Sequence, residues 1–309
     1  MIEGASVTAL MTLPKVAFLG IGLMGKPMAT RLLQAGYSLV AWNRSRSKAE
    51  ALGTMHAHVA DNPADAVRDA DIVITMLEAG PVVADVMRIA MPGLRRGTLV
   101  IDMSSTRQSE AQALHATLAT MGVAFIDAPV SGGVVGAEAG TLAIMAGAAQ
   151  EDFARAEPVL RVMGRPTLVG PPGCGQVAKL CNQLIVGGTL AIIAEALLLA
   201  QAGGADPAAV RAAIRGGFAE SRILDVHGQR MLERNFMPGG QVKSQAKDLE
   251  NVLIAAAAAG VHLPVAELVT QTYRSILDVL PNADQSAALL ALERMNPGKR
   301  VGDAPDKLP

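Results

Sequence analysis

Short apolar runs alternate with longer amphipathic segments through the first 170 residues, and then the alternation stops. The runs 16–20, 38–42, 58–59, 71–77, 98–102, 123–127, 142–146 and 167–169 read as strands, mostly apolar and bounded by turn residues. Between them the spacing predicts helices near 26–35, 82–90, 107–121 and 151–163, with Gly80-Pro81 breaking the chain ahead of the second. Strands alternating with helices predict a doubly wound, mainly parallel sheet. Gly170-Pro171-Pro172-Gly173 ends this pattern, and the chain then reads as helix over 175–202, from 207, and over 222–234, 241–259, 264–280 and 284–295. The segment 175–202 is very apolar and as one helix would be about 42 Å long. Its Gly187-Gly188 pair suits either close approach of another helix or a kink.

This pattern divides the chain. Residues 15–173 are expected to form the α/β domain, and 174–296 an all-α domain for substrate and oligomer contacts. Residues 1–14 read as a disordered or vector-derived extension, and the polar, proline-containing segment 297–309 as a loose tail.

The first strand runs into Gly20-Ile21-Gly22-Leu23-Met24-Gly25 and then into a helix. That is the strand–turn–helix of a Rossmann-type dinucleotide site. Its first glycine permits the turn, its second admits the pyrophosphate, and its third lets helix and strand pack. The pyrophosphate sits at the helix N-terminus, where free N–H groups and the macrodipole favour an anion. The second strand ends in Trp42-Asn43-Arg44-Ser45. An NAD site usually places an acid here for the ribose 2′-hydroxyl, but no acid appears before Glu50. Arg44 offers a planar fork of donors for a phosphate, so NADPH is the expected cofactor, with NADH as the other possibility. Ligands of such sheets bind beyond the carboxyl ends of the strands, which points to Leu77-Glu78 and Ser105-Thr106 as further cofactor-facing loops.

Composition narrows the function. Only 3% of the residues are aromatic and half are hydrophobic, so Ala, Val, Leu, Ile and Met must build the cores. A net charge of −1 gives no field to recruit nucleic acid or a membrane surface. The run 184–200 is interrupted by Glu195 and is shorter than the ~20 residues of a spanning helix, so it reads as buried. Cys174 and Cys181 stand two helical turns apart, too far for a disulfide, and suit a reducing compartment. No basic n-region with a long apolar core opens the chain, and a cytoplasmic location is expected. The five histidines are scattered, and no metal site is expected.

Two segments carry candidate chemistry. Lys179, Asn182 and Gln183 share one face of the long helix at i, i+3 and i+4. A lysine partly withdrawn from water exchanges protons nearer neutrality, so near a nicotinamide Lys179 can protonate an oxygen that becomes a hydroxyl; the bland alternative is a solvated helix end. In Asp127-Ala128-Pro129-Val130-Ser131-Gly132-Gly133, the paired glycines can aim bare N–H groups at a carboxylate beside the Ser131 hydroxyl, or form an ordinary flexible loop. Lys247-Asp248 is a weaker candidate, a common helix-surface pair.

Taken together, the segments 18–28, 127–133, 175–179 with Asn182, and Gln245-Ala246-Lys247-Asp248-Leu249 resemble the β-hydroxyacid dehydrogenase family. The resemblance covers about 15–295. It implies Lys179 as general acid/base, Ser131, Gly132 and Gly133 on the substrate carboxylate, and Asn182 assisting there. It also implies Met76, Leu77 and Thr106 on the cofactor and Lys247 over the cofactor and substrate. Many members carry Asn four residues after the lysine, where this chain has Gln183, so a substrate role for Gln183 is the less secure one. Within the family, segments 216–228 and 284–287 look most like tartronate semialdehyde reductases, which implies reduction of 2-hydroxy-3-oxopropanoate to glycerate. Other readings are a reductase for 3-hydroxyisobutyrate, succinic semialdehyde or glyoxylate, an imine reductase, and a non-catalytic cofactor-binding module. The retained Lys179 argues against the last two. The long apolar helix points to a homodimer or homotetramer acting on a small carboxylate or aldehyde substrate.

Overall fold

The computed structural model describes residues 13–309, so the expected extension 1–14 lies, apart from Leu13 and Pro14, outside the described residues. The chain divides into two compact units, Met1–Lys179 and Leu180–Pro309.

In the first unit, β1 (Val16–Leu19), β2 (Leu39–Trp42), β3 (His58–Val59), β4 (Ile72–Thr75), β5 (Leu99–Asp102) and β6 (Ala124–Asp127) pair in parallel in the order β3-β2-β1-β4-β5-β6. This is the dinucleotide-binding order, with its switch point between β1 and β4. The crossovers include α1 (Gly25–Gln34), α2 (Arg46–Glu50), α3 (Pro63–Val67), α4 (Gly80–Ala90) and α5 (Gln108–Thr120). Three central strands, β1, β4 and β5, are buried along their whole length because helices cover both faces, which is why they read as continuous apolar runs. Gly80-Pro81 opens α4 rather than breaking the chain, since proline lacks the N–H that the first helical turn does not use.

Beyond β6 come β7 (Val130–Ser131), α6 (Gly133–Ala139), β8 (Leu142–Gly147), α7 (Gln150–Met163) and β9 (Gly164–Gly170). Strand β8 runs antiparallel to β6 and β7 and parallel to β9. Neither β7 nor α6 is visible as an apolar run, because both are short and lie at the glycine pair.

The helix α8 (Cys174–Ala202) is continuous for 29 residues, so the Gly187-Gly188 pair makes no break. A Cβ at Gly187 would lie 2.5 Å from Gln245 Nε2, so the glycine admits a neighbouring helix. By length and composition α8 is apolar enough to cross a membrane. Its Leu190, Ile193, Leu197 and Leu198 are core residues of the second unit. That unit continues with α9 (Pro207–Ile214), α10 (Gln229–Leu232), α11 (Val242–Ala258), α12 (Pro264–Leu277) and α13 (Ala288–Met295).

The tail 297–309 is tied down, contrary to the expectation of a loose segment. Fully buried Arg234 pairs with Glu293 and Asp306 and donates to the Val301 carbonyl at 2.9 Å. Lys307 exchanges backbone hydrogen bonds with Arg234 and Phe236, and Val301 is buried. A buried guanidinium needs acceptors on several sides, and the tail supplies them.

Candidate active site

The carboxyl ends of the parallel strands stand in one row: Trp42, Leu19, Thr75, Asp102 and Asp127 are register partners in turn. The first unit's predicted site residues lie on the loops that leave this row or at the start of α8.

The glycine loop is built as its spacing predicts. Gly20 has φ +111, and a Cβ there would meet the Met76 carbonyl oxygen at 2.3 Å. A Cβ on Gly25 would sit 1.9 Å from the Gly20 oxygen. A Cβ on Gly22 would meet nothing within 4 Å, which is the open approach a pyrophosphate needs. Ile21 is buried, Met24 half-buried and Leu23 exposed. Asn43 Oδ1 accepts the Ile21 N–H at 2.9 Å, and its Nδ2 donates to the Ser45 carbonyl at 3.0 Å. So Asn43 shapes the loop from within. Arg44 is exposed and has no hydrogen bond or ion pair among the described residues, whereas Arg46 is held by Glu50 and Asp61.

A buried polar network joins the next loops. Asp102 Oδ1 accepts from Thr75 Oγ1 at 2.8 Å and from the Ser104 N–H at 3.0 Å. Ser104 Oγ accepts the Leu77 N–H at 2.9 Å. Gln176 Nε2 donates to the Ser104 carbonyl at 2.9 Å, and its Oε1 accepts the Thr106 N–H at 3.0 Å. Thr106 Oγ1 is buried without a hydrogen-bond partner. This orphan hydroxyl and the open face at Gly22 fit the expected dinucleotide, for which Gly20–Gly25, Asn43–Ser45, Met76, Leu77 and Thr106 are the candidate holders.

Asp127 accepts the N–H groups of Gly173 at 2.6 Å and Gln176 at 2.8 Å. Burial pushes its carboxyl up to about 7 against the pull of those two bonds, and the neighbouring Asp102 charge adds to the rise. Burial likewise pushes Asp102 up to about 6. Four residues beyond Asp127, Ser131 is half-buried while Gly132 and Gly133, at φ +133 and +63, are exposed. Both glycines hold backbone that side chains disfavour. Lys179 is half-buried, one turn beyond Gln176.

The second unit holds the other predicted residues. Asn182 Nδ2 donates to Gln183 Oε1 at 2.8 Å. Gln183 Nε2 donates to Asp248 Oδ2 at 2.8 Å and to Gln245 Oε1 at 3.2 Å, and Gln245 Nε2 returns a bond to the Gln183 carbonyl at 3.0 Å. These bonds tie α8 to α11. Lys247 Nζ lies 3.4 Å from Asp248 Oδ1. Among the described residues no group of three or more His, Cys, Asp and Glu is placed to hold a metal ion.

Residues 15–181 match the family described as the NAD binding domain of 6-phosphogluconate dehydrogenase, and 173–292 that described as NAD-binding of NADP-dependent 3-hydroxyisobutyrate dehydrogenase. The chain belongs to the β-hydroxyacid dehydrogenase family. The 2-hydroxy-3-oxopropionate reductase of Escherichia coli (strain K12) is 37% identical over 292 residues, covering 91% of this chain and 98% of that protein. The NAD-dependent L-serine dehydrogenase of Pseudomonas aeruginosa is 35% identical over 274 residues, covering 85% and 92%. The solved structure of the Mycobacterium tuberculosis 3-hydroxyisobutyrate dehydrogenase with L-serine superposes with a TM-score of 0.84 at 31% identity, covering 91% of this chain and 99% of that one. As a β-hydroxyacid dehydrogenase, the protein is an NAD(P)-dependent oxidoreductase of small hydroxyacids.

The sequence alone assigns no role to Asp102, Ser104, Gln176 or Gln245, and Asp127 stands there only within a motif. The signal for the two aspartates was present: 98–102 and 123–127 are apolar strands that each end on a carboxylate. An acid closing a buried strand needs donors from elsewhere in the fold.

Proposed function

We propose that this β-hydroxyacid dehydrogenase reduces tartronate semialdehyde to glycerate with NADPH, and that Lys179 supplies the proton. The observation that carries the proposal is the placement of Lys179 one turn beyond Gln176. Gln176 is bonded through side chain and backbone to the strand-end residues Ser104, Thr106 and Asp127. A proton donor at the carboxyl edge of the sheet stands where ligands of such sheets bind. The substrate assignment draws on the E. coli relative's name and on the resemblance over 216–228 and 284–287.

In this reading Ser131, Gly132 and Gly133 hold the substrate carboxylate, Asn182 orients the substrate, and Gln183 keeps α8 against α11. The family resemblance also implies a role for Lys247, whose Nζ lies 3.4 Å from Asp248 Oδ1. When bound, the reduced nicotinamide would supply the hydride for the aldehyde carbon. Lys179 donates its proton to the aldehyde oxygen, which becomes the hydroxyl of glycerate.

Arg44, unengaged and following a strand without a terminal acid, is assigned to the 2′-phosphate. The second family's description names an NADP-dependent protein and the Pseudomonas aeruginosa relative's name an NAD-dependent one, so the cofactor assignment stands on Arg44. A homodimer or homotetramer through α8 is part of the same proposal. Ile185, Ile192 and Leu199 recur every seventh residue on that helix with 65%, 62% and 74% of their surface exposed. A cytoplasmic location completes it.

The test follows NADPH and NADH oxidation with tartronate semialdehyde, succinic semialdehyde and glyoxylate, and NAD(P)⁺ reduction with 3-hydroxyisobutyrate and L-serine. Highest kcat/KM for tartronate semialdehyde with NADPH supports the proposal. A preferred different acid moves the substrate, and selection among such acids turns on groups worth about 1–3 kcal/mol.

A further inference from the structure

Helix α8 starts in an unusual way. The N–H groups of a first helical turn have no intrahelical partner, and a side chain close in sequence normally caps them. Here the cap comes from β6, because the Asp127 carboxylate takes the Gly173 and Gln176 N–H groups, 46 and 49 residues away. Glycines clear the space for it. A Cβ on Gly147 would lie 2.4 Å from Asp127 Oδ1, and one on Gly175 would lie 2.3 Å from the Asp127 carbonyl oxygen. The Gln176 side chain then anchors the same turn to Ser104 and Thr106. The turn is thereby fixed to the ends of two strands, and Lys179 follows Gln176 by three residues on the same rigid rod.

We infer that Asp127 is a positioning residue for the reaction, acting with Gln176 through the first turn of α8 to fix where Lys179 stands. The inference rests on the reading of Lys179 as proton donor. An α-helix passes a shift of its first turn along its axis, and Lys179 is only about 4.5 Å further on. A displacement of about 1 Å at a proton donor costs on the order of 100-fold in rate.

The test compares kcat, KM and cofactor dissociation constant for wild type, Asp127→Asn, Asp127→Ala and Gln176→Ala, with the best aldehyde of the panel and NADPH. Asp127→Asn keeps the shape and one acceptor but turns an N–H₂ toward one of the amides. Asp127→Ala removes both acceptors. The inference predicts kcat down about 10-fold in Asp127→Asn and about 100-fold in Asp127→Ala, with KM and cofactor affinity within about 3-fold of wild type. The smaller loss in asparagine is the partial rescue that a positioning role requires. Gln176→Ala leaves Asp127 in place, lowers kcat in the same selective way, and carries the test should Asp127→Ala not fold. Wild-type kcat in folded Asp127→Asn or Gln176→Ala overturns the inference, as does a loss shared equally by KM and cofactor binding. Lys179→Ala runs alongside. Turnover retained there removes the proton-donor reading, whereas an inactive Lys179→Ala beside a fully active Asp127→Asn removes only the positioning role.

Discussion

Asn43 Oδ1 accepts the backbone N–H of Ile21 at 2.9 Å, joining the end of β2 to the middle of the glycine loop. Removing the side chain frees the Ile21 N–H and loosens the loop. Asn43→Ala is expected to weaken cofactor binding about 10-fold, the loss of one well-placed hydrogen bond. Because Asn43 shapes the loop and takes no part in proton transfer, kcat at saturating cofactor should change little. Titration of NADPH fluorescence reads the first effect and saturation kinetics the second.

Two glycines of that loop are expected to fail differently. A Cβ at Gly25 would stand 1.9 Å from the Gly20 oxygen, so Gly25→Ala forces β1 and α1 apart and costs about 1–3 kcal/mol of stability. At Gly22 a Cβ meets nothing within 4 Å, so Gly22→Ala should melt like wild type and still bind cofactor at least about 10-fold more weakly. Thermal melts with and without NADPH separate the two.

Arg44→Ala is expected to lower NADPH affinity by about 10- to 100-fold, the range for a charge-assisted hydrogen bond to phosphate, and to leave NADH affinity unchanged. An equal effect on both cofactors would place Arg44 elsewhere on the dinucleotide.

The buried Asp102 sets a pH dependence of stability. Its carboxyl moves from 3.8 to about 6 because burial disfavours the charge. Between those values the folded chain keeps a proton that the unfolded chain has lost, so stability falls as pH rises from about 4 to about 6 and gains nothing back above that. Asp102→Asn retains an oxygen for both Thr75 Oγ1 and the Ser104 N–H while removing the charge. Its melting temperature should vary less than wild type between pH 4 and 6.5, and at pH 7.5 should equal or exceed wild type. A uniform loss at every pH would show that the charge is not the cost.

The fold was legible where packing is periodic. Strands buried on both faces show as apolar runs, and the glycine spacing showed the switch point because Gly20 and Gly25 are sterically required. Long-range polar partners were not legible. Nothing local to Arg234 announces Glu293 and Asp306, which lie 59 and 72 residues away, so the tail looked free. Gln176 bonds Thr106 and Ser104 across 70 and 72 residues, and no spacing rule reports such a pair. At Gln183 the sequence shows an amide facing the way of Lys179, whereas the structure commits that amide to Gln245 and Asp248. Side-chain chemistry was readable from residue type, but which group each side chain serves depended on contacts made only in the folded chain.

The central claim is that Lys179 protonates the oxygen of a small aldehyde acid. The most direct measurement is single-turnover oxidation of enzyme-bound NADPH by tartronate semialdehyde, wild type against Lys179→Ala, with cofactor binding checked in both. The account predicts that the variant folds, binds NADPH as wild type does, and turns over about 10²- to 10⁴-fold more slowly, the usual contribution of a general acid. A Lys179→Ala variant that binds NADPH and oxidises it at the wild-type rate would contradict the account.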